Sequence, residues 1–304
     1  MDAQAKKIVR WKIDCVQQVL PYNLRVHPYL AEFIGTAILI LLGNGVVANV
    51  VLARTKGHDG GWIVITIGWA MAVFVAVLCA AAASGAHLNP AITFGFALDG
   101  RFPWSDVLPY IAAQIGGGIF GGALVYAVYQ SHYAATDNAA DKLATFCTGP
   151  AIRSYGANLV SEVVGTFMLV YPVLLIAEPT ITFASVTGEM QGTVGLQTFG
   201  ALPVALVVFA IGLSLGGTTG YAINPARDLG PRIAHALLPI PGKRDSDWKY
   251  SPIPVIGPLL GAALAGWTLD TASTPRAGAL RQLAAFGLAT SAAYGLAAGG
   301  QLRR

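Results

Sequence analysis

Long apolar runs alternate with short polar breaks along this chain. A helix that crosses a bilayer needs about 20 mostly apolar residues. Six stretches meet that length, near 30–52, 62–83, 107–129, 158–177, 199–216 and 252–270. Two further apolar pieces, near 90–98 and 225–238, are too short to cross. Each of these begins at an Asn-Pro. Asparagine caps a helix well, and proline suits the first helical position because its missing N–H is not needed there. The pattern predicts six spanning helices and two half-helices.

The two halves repeat one another. "AEFIGTAILI" (Ala31–Ile40) answers "SEVVGTFMLV" (Ser161–Val170), which sets Glu32 opposite Glu162. "SGAHLNPA" (Ser84–Ala91) answers "TGYAINPA" (Thr219–Ala226). Asn89 lies 57 residues after Glu32, and Asn224 lies 62 after Glu162. Each copy holds three spans and one half-helix. An odd number of spans turns the second copy upside down in the membrane. Inverted repeats with broken helices place their working site near the midplane. Loop backbone at that depth is tolerated only inside protein or along a water-filled path.

Composition agrees with a polytopic membrane protein. The 304 residues are 55% hydrophobic and 11% charged, where soluble domains average about 25% charged. The net charge of +4 is small for this length and no dense basic run occurs, so nucleic acid is not an expected partner. Cys15, Cys79 and Cys147 show no metal spacing and imply no disulfide, and Cys79 reads as a small core residue. No signal peptide is evident. Lys and Arg favour the side of the termini, which predicts cytoplasmic ends. Trp11, Trp104 and Trp248 suit the membrane–water interface.

The doubled NPA box and the A-E-F-x-G-T first span with its S-E-x-x-G-T echo resemble the major intrinsic proteins, the aquaporin and glycerol-facilitator family. The resemblance covers about 28–271. It implies an all-α membrane protein with six transmembrane helices plus two re-entrant half-helices in two inverted repeats. The expected organisation is an N-terminal segment over 1–28, a channel domain over 29–271 and a tail over 272–304. Within the domain the repeats run about 29–130 and 157–271. The tail reads as an interfacial or loosely ordered helix rather than a seventh span.

Branch markers resemble the glycerol-conducting members: Asp228 follows Arg227, Arg232 follows four residues on, and Pro254-Val255 opens the last span. The resemblance implies a selectivity filter of Trp69, Gly212, Tyr221 and Arg227. Tyr221 departs from the usual phenylalanine. It implies NPA motifs at Asn89, Pro90, Ala91 and Asn224, Pro225, Ala226. Backbone carbonyls of Gly85, Ala86, His87, Gly220, Tyr221 and Ala222 are the implied acceptors along the path. Glu32, Glu162 and Asp228 are the implied braces of the loops.

The implied function is passive diffusion of glycerol and other small neutral solutes with water, while ions and protons are excluded. Urea and small metalloid acids are further solutes of this kind. No cofactor and no metal are implied, and a homotetramer in a plasma or inner membrane is. The alternative is a water-selective aquaporin. A secondary transporter would carry ion-coupling carboxylates at the midplane. An enzyme is a poor fit, because the spans hold no catalytic constellation. A purely structural role would show as an impermeable purified protein.

Overall fold

The computed structural model describes residues 26–176, 180–184, 191–195 and 197–273. Proline begins three of its helices. Helix α1 is Pro28–Val51, capped by His27. The re-entrant helices α3 (Pro90–Leu98) and α8 (Pro225–Leu237) start on the two NPA prolines. Their caps are Asn89 and Asn224, whose side-chain oxygens accept the N–H groups of Ala91 and of Ala226 and Arg227. Helix α2 spans Trp62–Ser84 and ends on a left-handed Gly85. Helices α4 (Trp104–Ala135) and α6 (Tyr155–Leu175) flank a short α5 (Ala139–Ala144). Helices α7 (Gln197–Ser214) and α9 (Ile253–Ser273) complete the set.

Four of these, α1, α2, α4 and α6, are long and apolar enough to cross a membrane over their described residues. In α7 and α9 the apolar runs cover 200–214 and 253–269. The membrane body is therefore all-α, with six long helices and two half-helices. An addition to the expected architecture lies between α6 and α7. There β1 (Thr180–Ala184) and β2 (Gln191–Gly195) pair antiparallel, with Thr180 opposite Gly195. The alternating Thr, Ile and Phe of β1 favour extended backbone.

The third span reaches past its expected end at residue 129. Hydropathy falls at Gln130-Ser131-His132, but the backbone stays helical beyond a bend at Tyr129 (φ −104°, ψ 15°). The His132 ring nitrogen Nδ1 lies 2.9 Å from the Ala53 carbonyl, and the Ala53 N–H donates to the Thr136 hydroxyl, which ties this extension to the end of α1. Hydropathy measures the bilayer's reach, not the helix's.

Helix pairing follows the duplication. Helix α1 packs on α2 and α4, and α6 packs on α9 and α7. Each half-helix crosses to the other copy: α3 lies against α9, and α8 against α4. Close approach depends on glycine. A Cβ at Gly117 would lie 2.2 Å from the Phe33 carbonyl oxygen, and one at Gly261 would lie 2.4 Å from that of Val163. Gly118 and Gly230 face one another where α4 meets α8. The outer face stays apolar, with Leu108, Phe120, Val160 and Leu206 exposed. Trp104 and Trp248 are exposed as well. Cys79 is also exposed, contrary to its reading as a core residue, because it sits on the outer side of an all-apolar helix where hydropathy cannot tell the two faces apart. Residues 1–25, which include Trp11 and Cys15, and the tail beyond Ser273 lie outside the described residues.

Candidate functional site

The two re-entrant loops have matched backbones. Gly85, Ala86 and Leu88 have φ of 80°, 52° and 52°, while Gly220, Tyr221 and Ile223 have 80°, 38° and 44°. Left-handed backbone at non-glycine residues is strained and persists only when its surroundings hold it. The holder is a buried carboxylate from each repeat. Glu32 accepts the N–H groups of His87 (2.9 Å) and Leu88 (2.7 Å), with the Ser84 hydroxyl at 2.6 Å. Glu162 accepts those of Ala222 (3.0 Å) and Ile223 (2.9 Å), with the Thr219 hydroxyl at 2.6 Å. Both glutamates are almost wholly buried. Gln114 adds a fourth donor to Glu32 alone.

Asp228 grips a third segment. It accepts the N–H and hydroxyl of Thr148, in the loop before α6, and pairs with the fully buried Arg232 at 2.7 Å. Arg232 also donates to the carbonyls of Thr148, Ser246 and Asp247. Cys147 beside it is buried, and that burial pushes its thiol up from the usual range. Among the described residues no cluster of His, Cys, Asp or Glu is arranged to hold a metal ion.

The NPA motifs meet crosswise. The Asn89 amide donates to the Ile223 carbonyl and the Asn224 amide to the Leu88 carbonyl, both at 2.8 Å. Each amide has two N–H groups, so one on each asparagine has no partner among the described residues. Both half-helices point their N-terminal ends, with their partial positive charge, at this meeting point.

Two cavities run through the bundle. One of about 690 Å³ extends from Arg227 past both NPA asparagines to Ile176 and Gly200, on the side of the β1–β2 hairpin. The other, of about 290 Å³, opens beside Trp62, Pro150 and Gly217 on the opposite side. Trp69, Tyr221 and Arg227 line both, so the neck between them is built from these three side chains. Gly85, Ala86, His87 and Ala222 line the larger cavity, and Gly220 lines the smaller. Their carbonyls, with that of Tyr221, accept no hydrogen bond from the described residues.

At the neck the Arg227 guanidinium carbon lies 4.0 Å from the Trp69 ring centroid, within cation–π range. Trp69 fits because Gly43 has no side chain: a Cβ there would lie 2.3 Å from the indole. Gly212 faces Tyr221. A Cβ at 212 would lie 3.0 Å from the phenol carbon Cζ and 3.0 Å from the Thr66 methyl. Trp62 meets the Tyr221 ring edge-on at 5.9 Å and donates to the Gly212 carbonyl at 3.0 Å. The Tyr221 hydroxyl is buried and has no hydrogen-bond partner among the described residues. His87 has its ring against Phe96, Phe102 and Tyr110, with Nδ1 3.1 Å from the Thr93 hydroxyl.

Of the sequence-derived filter set, Trp69, Tyr221 and Arg227 converge on the neck, while Gly212 lines neither cavity and backs the Tyr221 ring. Several contributors were missed: Gly43, Trp62, Ser84, Gln114, Thr219 and Asn44. Ser84 and Thr219 were within reach, since both stand five residues before an NPA asparagine.

A six-helix bundle with two inward half-helices capped by paired NPA asparagines defines a class of membrane protein, and the comparisons agree with it. The sequence model described as "Major intrinsic protein" matches residues 23–269, and the chain belongs to that family. The chain is 56% identical over 243 residues to a probable glycerol uptake facilitator protein of Thermotoga maritima, covering 79% of this chain and 98% of that one. It is 55% identical over 240 residues to a glycerol uptake facilitator protein of Streptococcus pneumoniae strain R6, covering 79% and 97%. Among solved structures it resembles the aquaglyceroporin of Plasmodium falciparum, with a TM-score of 0.69 and 28% identity over 83% of this chain and 98% of that one.

Proposed function

We propose that the protein is a passive channel for glycerol and other small neutral solutes, with water, that excludes ions and protons. The observation that carries this reading is the two-sided neck, in which apolar rings face a buried guanidinium with free donors. A polyol has a carbon edge and a row of hydroxyls. The Trp69 and Tyr221 rings form the corner for the carbon edge, and Arg227 offers N–H groups to two neighbouring hydroxyls. Gly212 leaves the room into which the Tyr221 ring packs. Beyond the neck, the free loop carbonyls accept the hydroxyl protons in turn. Water's hydrogen bonds are thus replaced one at a time, which keeps passage nearly level in energy.

The asparagine amides act at the centre. Each presents one free N–H, so an oxygen there receives donors from both sides. That orientation interrupts a chain of proton-passing waters. The two helix ends and Arg227 add positive potential against cations. Cytoplasmic termini, an inner or plasma membrane and a homotetramer are part of the proposal, as are urea and metalloid acids as minor solutes. The relatives' names, glycerol uptake facilitators, support the choice of solute.

A water-selective pore is the second reading. It is favoured by Tyr221, whose ring reaches within 3.0 Å of the space that Gly212 opens. Stopped-flow light scattering on proteoliposomes separates the two. Glycerol entry well above the bare-lipid rate, reduced in Arg227→Ala, supports the proposal. Fast water with glycerol at the bare-lipid rate supports the second reading.

A further inference from the structure

Arg227 is the charged residue of the neck, yet no carboxylate among the described residues lies within ion-pair distance of it. The neighbouring Asp228 is fully engaged by Thr148 and Arg232. What holds the guanidinium is a ring and one amide. The ring is Trp69. The amide is Asn44 of α1, fully buried, whose Oδ1 accepts from Arg227 Nη1 at 3.3 Å. The other end of that amide donates to the Phe146 carbonyl at 2.9 Å. This second bond fixes which way the amide faces. A carbonyl needs a donor, so the nitrogen must point to Phe146 and the oxygen to Arg227.

The repeats supply an internal control. Under the alignment that pairs Glu32 with Glu162, Asn44 corresponds to Leu174. Under the alignment of the NPA boxes, Arg227 corresponds to Ile92. Both Leu174 and Ile92 are buried in the apolar core. The polar pair thus takes one member from each copy, and each member has a buried apolar counterpart in the other copy. A buried asparagine in a span is costly without partners, and here it appears in the copy-equivalent position that faces the arginine.

We infer that Asn44 is a positioning residue for solute selection, resting on the channel reading above. It locks the Arg227 guanidinium to the loop at Phe146 without neutralising it. A neutral acceptor orients the fork and leaves its charge facing the pore. A carboxylate at the same place would accept from the fork but could not donate to the Phe146 carbonyl, and its charge would cancel the barrier to cations. The same loop is gripped two residues on, where Asp228 holds Thr148. The loop before α6 and the neck are therefore tied at two adjacent points.

The test is a set of variants in proteoliposomes: wild type, Asn44→Leu, Asn44→Asp, Arg227→Ala and the Asn44→Leu/Arg227→Ala double. Glycerol flux, water flux and proton leak by an internal pH dye are read for each, and detergent size exclusion confirms assembly. Loss of one hydrogen bond to a charged group predicts that Asn44→Leu lowers glycerol flux about tenfold. In the Arg227→Ala background the same change is expected to do almost nothing, because coupled residues are not additive. Asn44→Asp is expected to assemble and to leak protons. An equal drop in both backgrounds overturns the inference, as does an Asn44→Asp channel as proton-tight as wild type. If wild type itself carries no glycerol, the glycerol reading fails, and the cycle read on water flux still decides the role of Asn44. If Asn44→Leu does not assemble, the Asn44→Asp leak decides alone.

Discussion

Gly43 and Gly212 shape the neck with what they lack. A methyl at 43 would enter the Trp69 ring, and a methyl at 212 would press on Tyr221 and Thr66. Gly212→Ala is therefore expected to push the Tyr221 ring into the neck and slow glycerol more than water, by several-fold in stopped-flow. An unchanged ratio would show that the width is set elsewhere. The Tyr221 hydroxyl is a different case. It is buried without a partner among the described residues, and such a group costs about 1–3 kcal/mol. Tyr221→Phe should raise thermal stability in detergent and leave glycerol flux near wild type. A large loss of flux would mean that the hydroxyl touches solute. At this scale the asparagines were legible because the NPA motif is written twice, and the arginine through the family resemblance. Gly43 and Asn44 were not. A glycine in an apolar span looks like any packing residue, and a lone amide there has no periodic signature. The signal that does find Asn44 is its mismatch with Leu174 across the duplication.

Each helix end at the midplane depends on a distant carboxylate. Glu162→Leu would leave the N–H groups of Ala222 and Ile223 and the Thr219 hydroxyl unpaired in a buried loop. The expected cost is about 3 kcal/mol or more, read as a lower melting temperature and lost assembly. A variant as stable as wild type would mean that the left-handed loop holds itself. Gly117→Val should fail to assemble, because α4 cannot approach α1 with a side chain 2.2 Å from the Phe33 oxygen. A monodisperse, thermally stable Gly117→Val would contradict that packing. Element existence was readable from hydropathy and from the Asn-Pro starts. Boundaries were less so: α4 runs on through polar residues after Tyr129 because tertiary bonds to Ala53 hold it. The β1–β2 hairpin was not anticipated, because a short run between spans carries too little pattern to separate strand from loop.

The whole molecule is one inverted duplication in which each half-helix packs on the other copy. That interlock brings two identical helix ends together, but the path between them is not symmetric. Twenty and twelve residues before the NPA asparagines, one copy places Trp69 and the other Gly212, opposite Val204 and Val77. The Trp69, Tyr221 and Arg227 side chains gather on one side of the midplane, and Val77 and Val204 line the equivalent depth on the other. The fold was legible from the repeat alone. This asymmetry was legible only through the family resemblance, since the duplication by itself predicts a symmetric pore.

The central claim is that the neck passes glycerol and stops charge. The most direct measurement follows glycerol entry and proton leak in the same proteoliposomes, for wild type and Arg227→Ala. The account predicts fast glycerol entry with no added leak in wild type, and slower glycerol with a measurable leak in Arg227→Ala. Glycerol at the bare-lipid rate, or a wild-type proton current that rises with solute flux, would contradict it.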